Sequence, residues 1–218
     1  MKLNKALYGL KQAPRLWNKT LVNFLNNLKF QQLITDTCFF INKDLIISIY
    51  VDDKVIIGRK NHIIVDFKKQ VNNSFKTKDL GNLNFILGIN VERLTDNTLV
   101  IHQKNYIDKI MKDFKIISET RNTDIPIQPG HKLTTELLHE TESLRKLVDA
   151  TKYRKVIGSL IYLMTCTRPD ISYSVSILSR YMQEPKELHW RFLKRLMKYV
   201  NTTRDFSLTF QKEKATKN

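Results

Sequence analysis

The 218-residue chain reads as an α+β protein, with an antiparallel sheet and packed helices in its first half and mainly helix in its second. Three observations lead there. Apolar residues recur at three- and four-residue spacing in several separate stretches. Short β-rich runs lie between turn-forming residues in the first half. Beyond a stretch broken by Pro126, Pro129 and Gly130, helical spacing dominates.

From Arg15 to Phe30 the residues Leu16, Trp17, Leu21, Phe24, Leu25 and Leu28 mark one buried helix face, with Pro14 suited to its first turn. The period then shortens. Thr37 to Ile41 and Leu45 to Val51 read as strands joined through Asn42, Lys43 and Asp44, and a third run covers Lys54 to Gly58. Only Asp52 and Asp53 separate the last two runs, which puts this pair at the tip of a tight hairpin. A helix follows from His62 to Phe75, then strands from Phe85 to Arg93 and Thr98 to His102, then a helix from Gln103 to Phe114.

Residues 117–150 lose periodicity and read as a linker or surface excursion. Three helices are expected beyond it, Thr151 to Thr165, Asp170 to Met182 and Pro185 to Val200, with Asp170 as an N-cap. The alternation of Phe206, Leu208 and Phe210 suggests a last half-buried strand that has no partner in sequence.

A composition of 42% hydrophobic residues is enough for real cores, and 37 Lys and Arg against 21 Asp and Glu give a net charge of +16. The excess gathers at both ends. Residues 1–35 hold six basic residues and no acid, and residues 191–218 hold eight against Asp205 and Glu213. Polyanion binding is one consequence; plain solubility of a Lys- and Asn-rich chain is the other. Cys38 and Cys166 form no Cys-x-x-Cys pair, so neither a disulfide framework nor a structural zinc site is expected. No apolar run reaches the roughly 20 residues that cross a bilayer, and Lys2, Asn4 and Lys5 do not open a signal peptide. The expectation is an intracellular protein without a membrane span.

Tyr50-Val51-Asp52-Asp53, flanked by strands, is the chemical centre of the sequence. Adjacent carboxylates on a turn attract hard divalent cations such as Mg2+, and two such ions about 3.5–4 Å apart can activate a 3′ hydroxyl and stabilise leaving pyrophosphate. As a bare dipeptide, Asp-Asp reads first as a good turn; the full four-residue string between strands is what favours the metal reading. The five histidines, His62, His102, His131, His139 and His189, show no metal-ligand spacing. Trp190, Arg191, Leu193, Lys194, Arg195 and Lys198 mix apolar anchors with a basic stripe, which suits either a phosphate backbone or a solvated amphipathic face.

Four ordered blocks carry a family resemblance. Ala6-Leu7-Tyr8-Gly9-Leu10-Lys11-Gln12-Ala13-Pro14-Arg15 with Trp17 resembles the block before the long palm helix of copia-type reverse transcriptases, and Tyr50-Val51-Asp52-Asp53 resembles their polymerase signature. Lys78-Asp79-Leu80-Gly81 with Phe85-Ile86-Leu87-Gly88-Ile89 resembles the segment that grips the primer strand. Tyr153-Arg154, Gly158 to Leu163, Thr167-Arg168-Pro169-Asp170-Ile171 and His189-Trp190 are similar to the region between polymerase and ribonuclease H.

The resemblance implies that Asp52 and Asp53 are catalytic and ligate Mg2+, with Tyr50 and Val51 near the primer terminus. It puts Tyr8, Gly9 and Lys11 where nucleotide meets template, and Leu87 and Gly88 against the primer. Without it, the preferred readings are Leu87 as core, Gly9 and Gly88 as turn or bulge glycines, and Tyr8 as a packing aromatic. By resemblance, residues 1–116 form an incomplete polymerase palm, 117–150 a linker, 151–204 a helical thumb and connection region, and 205–218 the severed start of a ribonuclease H-like domain. The implied partners are an RNA template, a DNA primer and a dNTP, with RNA–DNA or DNA duplex on the basic surface. The implied compartment is the cytoplasm, within a virus-like particle, or the nucleus.

Two departures qualify these expectations. The family's third carboxylate comes from an earlier strand, and no residue here matches it, since the first acid is Asp36. The chain alone is therefore expected to be inactive, with a degenerate, noncatalytic nucleic-acid-binding remnant as the alternative. Lys54 stands where the family usually has an apolar residue, and its ammonium would compete with Mg2+ or point to solvent.

Overall fold

The computed structural model describes residues 6, 7, 9–96, 98–115, 123–127 and 142–211. By packing, the chain divides into two units, Met1–Asn82 and Leu83–Asn218.

In the first unit, helix α1 (Ala13–Asn27) starts with proline in its first turn, where the missing N–H has no partner to lose. It ends in a Schellman arrangement: Phe30 N–H returns to Leu25 O and Lys29 N–H to Asn26 O, with Lys29 at φ 63° where glycine is usual. Strands β1 (Gln31–Gln32), β2 (Phe39–Ile41), β3 (Leu45–Tyr50) and β4 (Asp53–Gly58) form an antiparallel sheet in that order. At the β2–β3 turn the Asn42 side-chain oxygen accepts from the N–H groups of Asp44 and Leu45, 2.9 and 2.8 Å away.

Helix α2 (Asn61–Ser74) follows β4 and turns Phe67 and Val71 inward. With Leu21, Leu25, Phe30, Phe40, Leu45 and Ile47 they form the first core. Gly58 is a spacing requirement of this core, since a Cβ there would lie 2.6 Å from Leu45 and 2.9 Å from Ile64.

The second unit has its own antiparallel sheet, in the order β5 (Phe85–Ile86), β6 (Ile89–Arg93), β7 (Leu99–His102) and β8 (Leu208–Phe210). Two expectations change here. The expected strand Phe85 to Arg93 is two strands that fold back at Leu87–Gly88, with Ile86 opposite Ile89. The terminal strand does have a partner: Leu208, Thr209 and Phe210 pair with Ile101, Val100 and Leu99 of β7. Residues 208–210 therefore complete a sheet begun far earlier in the chain.

Helices α3 (Lys104–Asp113), α4 (Ala150–Cys166), α5 (Ser172–Ser179) and α6 (Glu187–Thr202) enclose the second core. Ile107, Ile110 and Met111 of α3 pack in one cluster with Tyr153, Leu160, Leu193 and Met197, so α3 groups with the later helices and not with the segment before residue 83. Much of 117–150 lies outside the described residues. Its last part is pinned, because Val148 N–H donates to Pro185 O and Glu187 N–H to Lys146 O.

Asp149, not Asp170, caps a helix, accepting from Thr151 N–H at 2.8 Å. Asp170 sits in a 3-10 turn (Pro169–Ile171), and its carboxylate takes both guanidinium contacts from the buried Arg168, at 2.9 and 2.8 Å. The guanidinium is the stronger donor and lies two residues away, so it claims the carboxylate that sequence pattern assigns to a cap.

Candidate active site

The β3–β4 hairpin closes in the tightest way available. Tyr50 pairs with Asp53, which leaves a two-residue loop of Val51 and Asp52. The tip is one residue earlier than expected, and Asp53 opens β4. Val51 occupies φ 54°, the sign that primed hairpin turns require at their first central position. A β-branched residue is strained there by roughly 1–3 kcal/mol, so its surroundings must hold it.

Trp17 and Lys54 hold it. From α1, the Trp17 indole Nε1–H donates to the carbonyl oxygen of Val51 at 3.3 Å, and the ring is steadied edge-on by Phe75, 5.3 Å between centroids. Lys54 Nζ donates to the backbone oxygen of Asp52 at 3.1 Å and lies 5.4 Å from the centre of the Trp17 ring. Burial lowers the ammonium's pKa, while the charges of Asp52 and Asp53 work to raise it. Lys54 thus neither pairs with a carboxylate nor stands free in solvent; it braces the turn through the backbone.

Asp52 and Asp53 are both exposed, and neither carboxylate makes a hydrogen bond or ion pair with a described residue. Their oxygens are open to a hard cation, which is the donor chemistry Mg2+ takes. Among the described residues no three His, Cys, Asp or Glu side chains come together as a metal cluster. Tyr50 and Val51 are exposed beside the pair, at 56% and 67%.

Of the remaining expected residues, Tyr8 lies outside the described residues. Gly9 adopts φ 92° with open space where a Cβ would be, so backbone conformation and not crowding calls for glycine. Lys11 is exposed in the turn leading into α1. In the second unit, Leu87 and Gly88 form the β5–β6 turn, at φ 50° and 80°. The Tyr162 hydroxyl donates to Leu87 O.

Three side chains prominent in the structure were not singled out by sequence pattern as structural keys. Trp17 falls in the apolar stripe of α1 and looks like core. Arg168 is 1% exposed and ties Asp170 to Thr203, whose carbonyl and hydroxyl lie 3.0 and 2.6 Å away. His189 is 2% exposed, stacks on Tyr181 at 3.8 Å and accepts at Nδ1 from Lys186 N–H. The basic stripe of α6 is partly committed inside the fold. Arg191 and Lys194 approach Glu187 at 3.6 and 3.8 Å, and Arg195 Nε is buried.

The family model for reverse transcriptase (RNA-dependent DNA polymerase) matches residues 1–129, more than half of the chain. The chain belongs to the reverse transcriptase family. It is 33% identical over 215 residues to the retrovirus-related Pol polyprotein from transposon TNT 1-94 of Nicotiana tabacum, a match covering 96% of this chain and 16% of that protein. It is 36% identical over 215 residues to the corresponding polyprotein from transposon RE1 of Arabidopsis thaliana, covering 97% and 14%. A putative transposon Ty5-1 protein of Saccharomyces cerevisiae is 30% identical over 209 residues, covering 94% and 66%. This reverse transcriptase chain therefore spans about a sixth of one plant polyprotein and a seventh of the other. No solved structure matches it. The family normally uses a divalent metal and implies nucleic-acid substrates. Among the described residues no helix is long and apolar enough to cross a membrane.

Proposed function

We propose that this chain supplies the paired aspartates of a retrotransposon RNA-directed DNA polymerase, within an incomplete palm followed by a thumb and connection region. The observation that carries the reading is the hairpin loop itself: two adjacent, unpaired carboxylates presented by a turn with a β-branched residue at positive φ. Backbone strain of this kind gathers at functional sites.

In this reading Asp52 and Asp53 hold Mg2+. When bound, the ion supplies charge for the nucleotide phosphates and promotes ionisation of the primer 3′ hydroxyl. Trp17 and Lys54 fix the backbone that aims both carboxylates, so the ligands need little reorganisation when they bind. Tyr50 and Val51 present an apolar and aromatic surface to the primer end. Tyr8, Gly9 and Lys11 approach the nucleotide and its templating base, and Leu87 with Gly88 meets the primer strand. Two carboxylates do not organise two ions, so the chain alone is inactive. An RNA template, a DNA primer and a dNTP are its substrates when a third carboxylate is supplied.

A second reading, a noncatalytic nucleic-acid-binding segment, draws on the net charge of +16. One experiment addresses both. With a primed RNA template, the isolated chain should bind weakly, lose affinity steeply as salt rises, and incorporate no nucleotide. Robust incorporation abolished by Asp52→Asn would overturn the incomplete-site reading, and absence of binding at low salt would overturn the nucleic-acid reading altogether.

A further inference from the structure

We infer that Tyr162 is the positioning residue for the Leu87–Gly88 turn and that this turn, so held, sets the chain's preference for a recessed primer end. The inference rests on the proposed role of Leu87 and Gly88 at the primer.

The turn needs an external hold. Both of its residues have positive φ, 50° at Leu87 and 80° at Gly88, as a type I′ hairpin demands. Glycine adopts this freely, but leucine does not. The usual first residue, Asn or Asp, would support itself with a side-chain hydrogen bond, and Leu87 has none to offer. The hairpin is also short, since β5 has only Phe85 and Ile86.

The hold comes from α3 and α4. The Tyr162 hydroxyl donates to the carbonyl oxygen of Leu87, and the Tyr162 ring is fixed edge-on against Tyr106, 5.2 Å between centroids at 84°. Gly88 lies under the same two rings, with its Cβ position 3.7 Å from Tyr162 and 3.9 Å from Tyr106. Meanwhile Phe85 and Leu87 are 56% and 42% exposed. The backbone of the turn is thus fixed while its apolar side chains face outward.

The test is Tyr162→Phe, which keeps the ring and its packing and removes only the hydroxyl. Amide exchange at Leu87 to Ile89 should accelerate roughly fivefold, the equivalent of one hydrogen bond. In fluorescence anisotropy, the preference for a duplex with a recessed 3′ end over a blunt duplex should fall by a similar factor, with blunt-duplex affinity unchanged. Tyr173→Phe, at an exposed tyrosine of α5, should change neither. If the wild type shows the end preference and Tyr162→Phe retains both it and slow exchange, the inference is overturned. If the wild type does not distinguish the two duplexes, the primer reading of Leu87 and Gly88 fails and the inference falls with it.

Discussion

The indole N–H of Trp17 donates to the carbonyl of Val51, so a helix residue holds the strained corner of the hairpin that carries Asp52 and Asp53. Trp17→Phe keeps much of the contact with Phe75 and loses this bond. The expected cost is about 1 kcal/mol of stability, with faster amide exchange centred on Val51 to Lys54. Unfolding in urea and exchange by NMR check it; unchanged exchange at the turn would show that the bond holds nothing.

Lys54 places a cation beside two carboxylates without pairing with either. Lys54→Met removes that charge and retains an apolar stem against Trp17. Affinity for Mn2+ should rise several-fold, on the order of 1 kcal/mol for a nearby charge at the protein surface. Calorimetric titration of wild type and variant at one ionic strength reads the difference.

Arg168 is a buried charge in the second unit, engaged by Asp170, Thr203 and the faces of Tyr199 and Phe206, 5.6 and 5.2 Å away. Arg168→Met should cost about 2 kcal/mol, because it removes two charge-assisted bonds to Asp170, which keeps only the Tyr199 hydroxyl, and leaves the Thr203 carbonyl without its donor. Burial works to raise the pKa of Asp170, but Arg168 and Tyr199 outweigh it and hold the carboxyl below its usual range. Its contribution to stability is therefore present above the ordinary carboxyl pKa and is lost as pH falls through the lowered value. Urea unfolding of the variant, and of the wild type in acid, measures both effects.

His189 gives a separate pH signature. Burial, with a smaller effect from Lys186, pushes its pKa down from 6.5 to about 4. Between those values the unfolded chain binds the extra proton, so stability is complete above about pH 6.5 and falls as pH drops toward 4, by about 3 kcal/mol in all. Protonation at Nδ1 would also break the bond accepted from Lys186 N–H. His189→Gln should flatten this window in a series of urea melts from pH 7 to 4.

Much of this was legible in the sequence because local signals and tertiary structure agree. The stripe of α1, the strands flanking the aspartates and the helix Ala150–Cys166 all follow apolar period, with ends displaced by up to three residues. The failures are places where a distant group overrides local preference. Val51 and Leu87 take positive φ against their own propensity because Trp17 and Tyr162 bind their carbonyls. Nothing within a few residues of either announces this. The pairing of β8 with β7 is a long-range contact between two short runs, and period alone does not say which runs meet. For the candidate site, the sequence proposes the residues, while the Trp17 and Lys54 brace is visible only in three dimensions.

Asp52 and Asp53 together are expected to form a divalent-cation site. NMR of the 15N-labelled chain during Mn2+ titration tests it most directly, since the paramagnetic ion broadens amides near its binding site. Signals from Tyr50 to Lys54 should vanish first in the wild type and persist in Asp52→Asn/Asp53→Asn. Broadening that begins elsewhere, or that is the same in the double variant, would contradict the account.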